Sequence, residues 1–230
     1  MDDELTRAVA ALDVGPIRAA YVAQGRVVHV ERAFPETVVA PLVAEANGLR
    51  AGVRRSWLPF YRKGGAVGHF TLRARAPAIL ELYHSRVMRV LVAAVTGASV
   101  VPCPDDDPHA CALYYYTEPG DHVGFHYDTS HYAGARYTVL LGLVERSSSR
   151  LVCETRTGAA FTIATEPGTL VLFDGDALRH KVTPLGPGEE RISLSLEYVT
   201  DPRMTPGRRL VSNLKDAVAY FGLRGVRVKP

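Results

Sequence analysis

The sequence predicts a mainly β protein with flanking helices (α+β) whose core is a double-stranded β-helix, or jelly roll. Two observations lead to this prediction. The clearest helical pattern lies before residue 100, and from Ala110 onward eight short segments have the period of strands. Clusters of glycine, proline, aspartate and serine separate these segments. Eight short strands that follow helices are typical of a closed double sheet.

The first hundred residues predict a mixed set of elements. A short strand is predicted at Arg26–Val30 and a helix around Thr37–Leu49. One continuous helix is predicted over Pro77–Thr96, because Pro77 suits a first helical turn, apolar residues recur at helical spacing and Gly97 follows. This part of the chain is therefore expected to support the sheet.

The predicted strands are rich in Val, Leu, Tyr and Thr. They are Cys111–Thr117, Val123–Asp128, Arg136–Val144, Leu151–Glu154, Ala160–Ala164, Thr169–Asp174, His180–Pro184 and Arg191–Val199. A single domain is expected over 1–230, with 1–105 as a mixed N-terminal support, 106–200 as the jelly-roll core and 201–230 as a C-terminal extension. A short helix is predicted around Leu214–Phe221 within that extension.

Composition and charge narrow the classes of function. The chain has 230 residues, 47% of them hydrophobic, and a net charge of +3 without a basic stripe, so no nucleic-acid partner is expected. No apolar run is long enough to span a membrane, and the acidic start Met1-Asp-Asp-Glu is unlike a secretory signal. Cys103, Cys111 and Cys153 form no CxxC motif and are expected to be buried thiols. We expect a cytoplasmic monomer or homodimer.

Two histidines and one aspartate have the spacing of a metal site. His126 and Asp128 are two residues apart, and on a strand such residues share a face. His180 follows far downstream, at the start of another predicted strand. Two histidines and a carboxylate on one face of an ion leave three positions open, as in non-haem Fe(II) oxygenases. An HxD pair alone is a weak signal, so the third ligand carries the prediction.

The last predicted strand adds an anion site. Arg191, Ser193 and Ser195 share one face of this strand, whereas the residues between them are apolar. An inward-facing arginine needs an anionic partner, and its planar fork with a neighbouring hydroxyl suits a terminal carboxylate. An exposed Arg191 at a sheet edge is the alternative, but it leaves the spacing of about ten residues from His180 unexplained.

These motifs together resemble the Fe(II)/2-oxoglutarate-dependent oxygenase superfamily over about residues 110–200. The segments around them resemble the prolyl-4-hydroxylase-like branch. They are Tyr114–Tyr116, Arg136–Leu143, Pro167–Phe173 and His180–Pro184.

The resemblance implies that His126, Asp128 and His180 hold Fe(II). It implies that Arg191 pairs with the far carboxylate of 2-oxoglutarate. Further hydrogen bonds would come from Ser193 and from one of Tyr114, Tyr116 and Thr138. With O2, such an enzyme releases succinate and CO2 and hydroxylates an unactivated C–H bond of a small metabolite or of an amino-acid or peptide side chain. Halogenating members lack the carboxylate, so the presence of Asp128 favours hydroxylation.

Three other functions remain open. Pro119-Gly120 before His126 resembles the iron loop of AlkB-like nucleic-acid dealkylases, but no second arginine follows Arg191 before Arg203. A cupin-like metal protein without 2-oxoglutarate would leave Arg191 without a role. A jelly-roll interaction module without metal would require the three candidate ligands to be coincidental.

The residues around these motifs have less specific interpretations. We expect Tyr114 and Tyr116 to face the pocket, and His122, His131 and Arg179 to face solvent. The remaining histidines are expected to be structural or exposed, namely His29, His69, His84 and His109. Core packing is expected for the aromatic cluster of Trp57, Phe60 and Tyr61.

Overall fold

The computed structural model describes residues 2–156, 158 and 160–205. The helices in this part of the chain are α1 (Asp2–Ala10), α2 (Val14–Ala23), α3 (Glu36–Gly48), α4 (His69–Arg75), α5 (Pro77–His84) and α6 (Arg86–Thr96), with a 3-10 turn at Arg50–Gly52. The strands are β1 (Val27–Val30), β2 (Arg54–Leu58), β3 (Arg62–Val67), β4 (Val101–Pro102), β5 (Cys111–Tyr116), β6 (His122–His126), β7 (Arg136–Arg146), β8 (Leu151–Thr155), β9 (Ala160–Ile163), β10 (Leu170–Asp174), β11 (Leu178–Val182) and β12 (Glu190–Val199).

The strands form one antiparallel sheet that folds back on itself. Its order is β1-β10-β7-β12-β5-β3-β6-β11-β8-β9, while β2 pairs with β3 and β4 with β12. Three strands separate β6 from β7 in this order, yet Asp128, just after β6, accepts a hydrogen bond from Thr138 on β7. Phe173 on β10 likewise packs against His180 on β11, with ring centroids 4.9 Å apart. The sheet is therefore nearly closed, as predicted for a jelly roll.

The two faces of β12 have opposite environments. Ile192, Leu194 and Leu196 belong to the large apolar cluster shared by the helices and the outer face of the sheet. Arg191 and Ser193 point the other way, into the interior of the barrel. These directions confirm the alternation predicted from the sequence, in which successive side chains of a strand point to opposite faces.

The prediction of one helix over Pro77–Thr96 is wrong. The helix breaks at Ser85, whose backbone is extended, with φ −60° and ψ 141°. The Ser85 hydroxyl accepts a hydrogen bond from the Met88 amide at 3.1 Å, so it caps a new helix. The apolar stripe continues across the break, and therefore the periodicity alone did not reveal it. The predicted helix at Thr37–Leu49 is confirmed as α3.

All eight predicted strands are present, with ends shifted by up to two residues. Two of these shifts affect the metal motif. Strand β6 ends at His126, so Asp128 lies beyond it, and β11 begins at Leu178, so His180 lies inside its strand. The helix predicted around Leu214–Phe221 lies outside the described residues.

Strands β2, β3 and β4 were not predicted. Strand β3 contains Gly64 and Gly65, which are rare in strands, and it nevertheless lies inside the sheet between β5 and β6. A Cβ atom at Gly65 would lie 2.3 Å from a methyl carbon of Val53, so this glycine allows close packing. The N-terminal part of the chain thus contributes to the sheet as well as supporting it.

The three cysteines are buried free thiols, as predicted. Across the described residues, no helix has the length and apolar character needed to cross a bilayer.

Candidate metal centre

His126, Asp128 and His180 meet inside the barrel. His126 and His180 are direct partners on β6 and β11, and their ring centroids lie 4.2 Å apart. Asp128 Oδ1 lies 3.5 Å from His126 Nε2, and Asp128 Oδ2 lies 3.9 Å from His180 Nε2. One potential ligand atom from each residue lies within 4.8 Å of the other two. This arrangement allows all three residues to bind one cation.

Backbone carbonyls orient both imidazole rings. His126 Nδ1 lies 2.9 Å from the Gly124 carbonyl oxygen, and His180 Nδ1 lies 3.4 Å from that of Leu178. A carbonyl oxygen only accepts hydrogen bonds, so each Nδ1 carries the hydrogen and each Nε2 has a free lone pair. Metal-binding histidines are held in this way by an outer hydrogen bond. Both rings therefore present the atom that a metal requires.

Burial and the neighbouring charges keep His180 neutral and Asp128 ionised, which are the forms that bind a metal. Burial lowers the pKa of His180 to about 4, helped by the neighbouring His126 and opposed by Asp128. The ring is therefore neutral at pH 7, as a ligand must be. Burial alone would raise the pKa of Asp128, but His180, His126 and Arg136 outweigh it and hold that pKa well below its usual value. Asp128 is thus a carboxylate.

The backbone at Asp128 is packed tightly against Gly175, which follows β10. A Cβ atom at Gly175 would lie 2.3 Å from the Asp128 carbonyl oxygen, a distance that no real contact has. Gly175 also donates its amide hydrogen to the Arg136 carbonyl at 2.9 Å, so it has little freedom to retreat. Glycine at this position is therefore a condition for the placement of Asp128.

We expect Gly175→Ala to displace Asp128 and to weaken Co²⁺ binding by about tenfold or more, the scale at which disturbed outer contacts act on metal sites. Isothermal titration calorimetry with Co²⁺ measures the change. Gly48→Ala is the matched control, because a Cβ atom there meets nothing within 4 Å. Equal Co²⁺ affinity in the two variants would contradict the packing argument.

Arg191 lies in the same cavity, and two of its N–H groups lack a hydrogen-bond acceptor among the described residues. Its side chain is about 1% exposed, and its Nε and Nη1 atoms have no hydrogen-bond acceptor within the described part of the chain. The nearest acid is Glu145, whose Oε2 lies 3.6 Å from Arg191 Nε. A buried guanidinium with unpaired N–H groups is costly unless an anion completes it. These two donors therefore indicate an anion-binding position.

The structure brings most of the predicted site residues together. One cavity of about 80 Å³ is lined by His126, Asp128, His180, Arg191, Ser193, Tyr114 and Tyr116. The guanidinium carbon of Arg191 lies 5.8 Å from the centre of the Tyr116 ring. Thr138 is fully buried behind Asp128, and its hydroxyl contacts the carboxylates of Asp128 and Glu197. The predicted role of Thr138 in binding the co-substrate stays a prediction.

Sequence reasoning missed several residues that line the cavity, among them Arg62, His109, His131 and Glu197. His109 was expected to be structural or exposed and His131 to face solvent; both are half-buried and also line the cavity. His109 Nδ1 lies 3.1 Å from the Tyr114 hydroxyl. Glu197 has the same parity as Arg191 on β12, so continuing the alternation would have found it. Arg62 lies on β3, a strand that was not predicted.

Two of the three residues of the aromatic cluster lie outside the core. Trp57 is 72% exposed and Phe60 is 100% exposed, so core packing was wrong for both. Tyr61 does pack against the buried Ala66 and Ala112, and its ring centroid lies 6.2 Å from that of His126. Arg179 is exposed and pairs with Glu154, as expected of a solvated residue.

Solved structures resemble this fold closely, although their sequences differ. A non-haem α-ketoglutarate-dependent epimerase of nogalamycin biosynthesis, SnoN, has a TM-score of 0.67 at 17% identity, over 80% of this chain and 81% of that one. A prolyl-4-hydroxylase of Pseudomonas putida has a TM-score of 0.63 at 18% identity, over 82% of this chain and 98% of that one.

A third similar structure contains a bound peptide. It is a prolyl hydroxylase of Trichoplax adhaerens in complex with a fragment of the hypoxia-inducible factor oxygen degradation domain. Its TM-score is 0.66 at 14% identity, over 91% of this chain and 94% of that one. No protein-family model matches the sequence, and no curated protein is significantly similar to it. The comparisons therefore establish the jelly-roll fold.

Proposed function

We propose that this chain is an Fe(II)- and 2-oxoglutarate-dependent dioxygenase that hydroxylates an unactivated C–H bond. Its substrate is a small metabolite or an amino-acid or peptide side chain. One observation carries the proposal: three potential metal ligands line the same cavity as a buried arginine that has two unsatisfied N–H donors. A metal site alone would not need this arginine.

The donor set fits Fe(II). Two imidazole nitrogens and one carboxylate are the ligands of non-haem iron oxygenases, and they leave three positions of an octahedral ion open. His126, Asp128 and His180 would hold the ion. When bound, iron supplies the redox chemistry that couples oxidation of 2-oxoglutarate by O2, with release of succinate and CO2, to substrate oxidation. The histidine Nδ1 atoms keep their hydrogen bonds to backbone carbonyls and so fix the ligand geometry.

Arg191 would bind and orient the co-substrate. Its Nε and Nη1 atoms suit a carboxylate, because a guanidinium offers two parallel donors to two oxygens. Ser193 lies two residues further along the same face of β12 and adds a hydroxyl. Binding would replace two unsatisfied buried donors with charged hydrogen bonds.

The structural neighbours support this class of function and both kinds of substrate. One is described as an α-ketoglutarate-dependent epimerase of antibiotic biosynthesis, and another was solved with a peptide. We infer hydroxylation for this chain because Asp128 occupies the position of the carboxylate ligand. The partners proposed are therefore a small molecule or peptide, with neither nucleic acid nor membrane.

The proposal is tested by incubating the protein with Fe(II), ascorbate, 2-oxoglutarate and O2, alone and with free amino acids and short proline-containing peptides. We expect succinate, measured by proton NMR, to form faster than in the Asp128→Ala variant, and a true substrate to gain one oxygen atom by mass spectrometry. If succinate forms no faster than in that variant under every condition, the proposed enzyme class is wrong.

A further inference from the structure

Asp128 needs a support that the sheet does not provide. Strand β6 ends at His126, so the aspartate is not held by strand pairing on either side. Its Oδ2 atom accepts a hydrogen bond of 2.9 Å from the Thr138 hydroxyl on β7. The Nε2 atoms of the two histidines lie further away, at 3.5 Å from Oδ1 and 3.9 Å from Oδ2. The hydrogen bond from Thr138 therefore fixes the rotation of the carboxylate at Oδ2.

Thr138 lies between two carboxylates. Its Oγ1 atom is 2.9 Å from Asp128 Oδ2 and also 2.9 Å from Glu197 Oε2. A hydroxyl has only one hydrogen, so it donates to one of these oxygens at a time. Glu197 has other donors, because Ser195 Oγ lies 2.9 Å from its Oε1 and Arg136 Nε lies 2.9 Å from its Oε2. The hydrogen of Thr138 is thus available to Asp128.

The residues that pack behind Asp128, namely Thr138, Glu197 and Arg136, are buried and held in place by the sheet. Thr138 and Glu197 are direct partners of β7 and β12, so the sheet register fixes their separation. Thr138 is 0% exposed, Glu197 4% and Arg136 8%. Buried charged groups that satisfy one another restrict rotation of each side chain. We call these three residues the Thr138–Glu197–Arg136 network.

We propose that Thr138, held by Glu197 and Arg136, is a positioning residue that makes Asp128 a ligand through Oδ1 alone. The inference rests on the proposed function. By engaging Oδ2, Thr138 would leave Oδ1, which lies 3.5 Å from His126 Nε2, as the oxygen available to a cation. A carboxylate that used both oxygens would occupy one of the three open positions that the co-substrate and O2 require. The network therefore strengthens metal binding and also keeps open the positions that the co-substrate and O2 require.

The test compares Thr138→Val with Thr138→Ser. Valine has nearly the shape of threonine but no hydroxyl, whereas serine keeps the hydroxyl. Titration calorimetry with Co²⁺ is expected to show binding about 10- to 100-fold weaker in Thr138→Val, the usual effect of losing an outer contact to a metal ligand. Thr138→Ser is expected to bind Co²⁺ within about threefold of the unmodified protein, because the donor is retained.

Thr169→Val is the matched control. Thr169 is also 0% exposed, its hydroxyl lacks a partner within the described part of the chain, and it lies four residues before Phe173, the strand partner of Thr138. This variant is expected to bind Co²⁺ like the unmodified protein. If Thr138→Val does not fold, as judged by circular dichroism, Thr138→Ala is measured with the same expectation.

A second readout separates positioning from simple stability. In Thr138→Val saturated with Fe(II) under anaerobic conditions, 2-oxoglutarate is expected to bind more weakly, because Asp128 can take a second position on the ion. Folded Thr138→Val that binds Co²⁺ and 2-oxoglutarate as tightly as Thr169→Val would overturn this inference and leave the proposed function intact. If the unmodified protein bound neither, the proposed function itself would fail.

Discussion

Asp128→Ala is expected to abolish Fe(II)-dependent hydroxylation. The substitution removes one of three ligands and leaves His126 and His180, whose rings lie 4.2 Å apart, without the anion that balances the ion. Metal affinity should fall by more than the roughly 10- to 100-fold that follows loss of an outer contact. Titration calorimetry with Co²⁺ and succinate formation with Fe(II) measure the two effects.

Asp13→Ala provides the control for this variant. Asp13 precedes α2 and makes no capping hydrogen bond with its side chain, so its removal should change neither metal affinity nor turnover. Unchanged turnover in Asp128→Ala would exclude the proposed metal centre. Circular dichroism of both variants establishes that any loss does not arise from unfolding.

Arg191→Ala is expected to weaken 2-oxoglutarate binding at least about 30-fold, because truncating one member of a buried charge pair costs about 2 kcal/mol or more. Metal affinity should change little, since the guanidinium pairs with Glu145 and not with one of the three metal ligands. Titrating 2-oxoglutarate into the iron-loaded protein without oxygen, and Co²⁺ into the metal-free protein, measures the two affinities separately.

Arg191→Lys distinguishes charge from geometry. Lysine keeps the positive charge but offers a compact ammonium instead of a planar fork, so we expect 2-oxoglutarate affinity between those of Arg191→Ala and the unmodified protein. Equal loss of metal and 2-oxoglutarate binding in Arg191→Ala would instead indicate misfolding or a different role for Arg191.

The features that the sequence predicted well depend on local periodicity. The alternation of Arg191 and Ser193 with apolar residues placed the arginine inside the barrel, and burial of about 1% confirms it. The spacing of His126 and Asp128 correctly predicted that the two residues lie together, even though Asp128 lies beyond the end of β6. In each case, residues close in the sequence determined the outcome.

The features that were missed depend on contacts between distant parts of the chain. Arg62 reaches the cavity because the glycine-containing β3 inserts between β5 and β6, which no local pattern indicates. The role of Thr138 toward the co-substrate stays a prediction, but its hydrogen bonds to Asp128 and Glu197 were not predicted, because they form only when the sheet folds over and brings β7 to the end of β6. Tertiary packing decides such contacts.

The central claim is that one cavity holds both Fe(II) and 2-oxoglutarate. Its most direct test is an anaerobic titration of the purified protein with Fe(II) and then 2-oxoglutarate, monitored by the visible charge-transfer absorption of the chelate. We predict that the band appears, saturates at one 2-oxoglutarate per chain and is lost in His126→Ala and Arg191→Ala. Iron binding without 2-oxoglutarate binding would favour a cupin-like metal protein, and binding of neither by folded protein would contradict the claim.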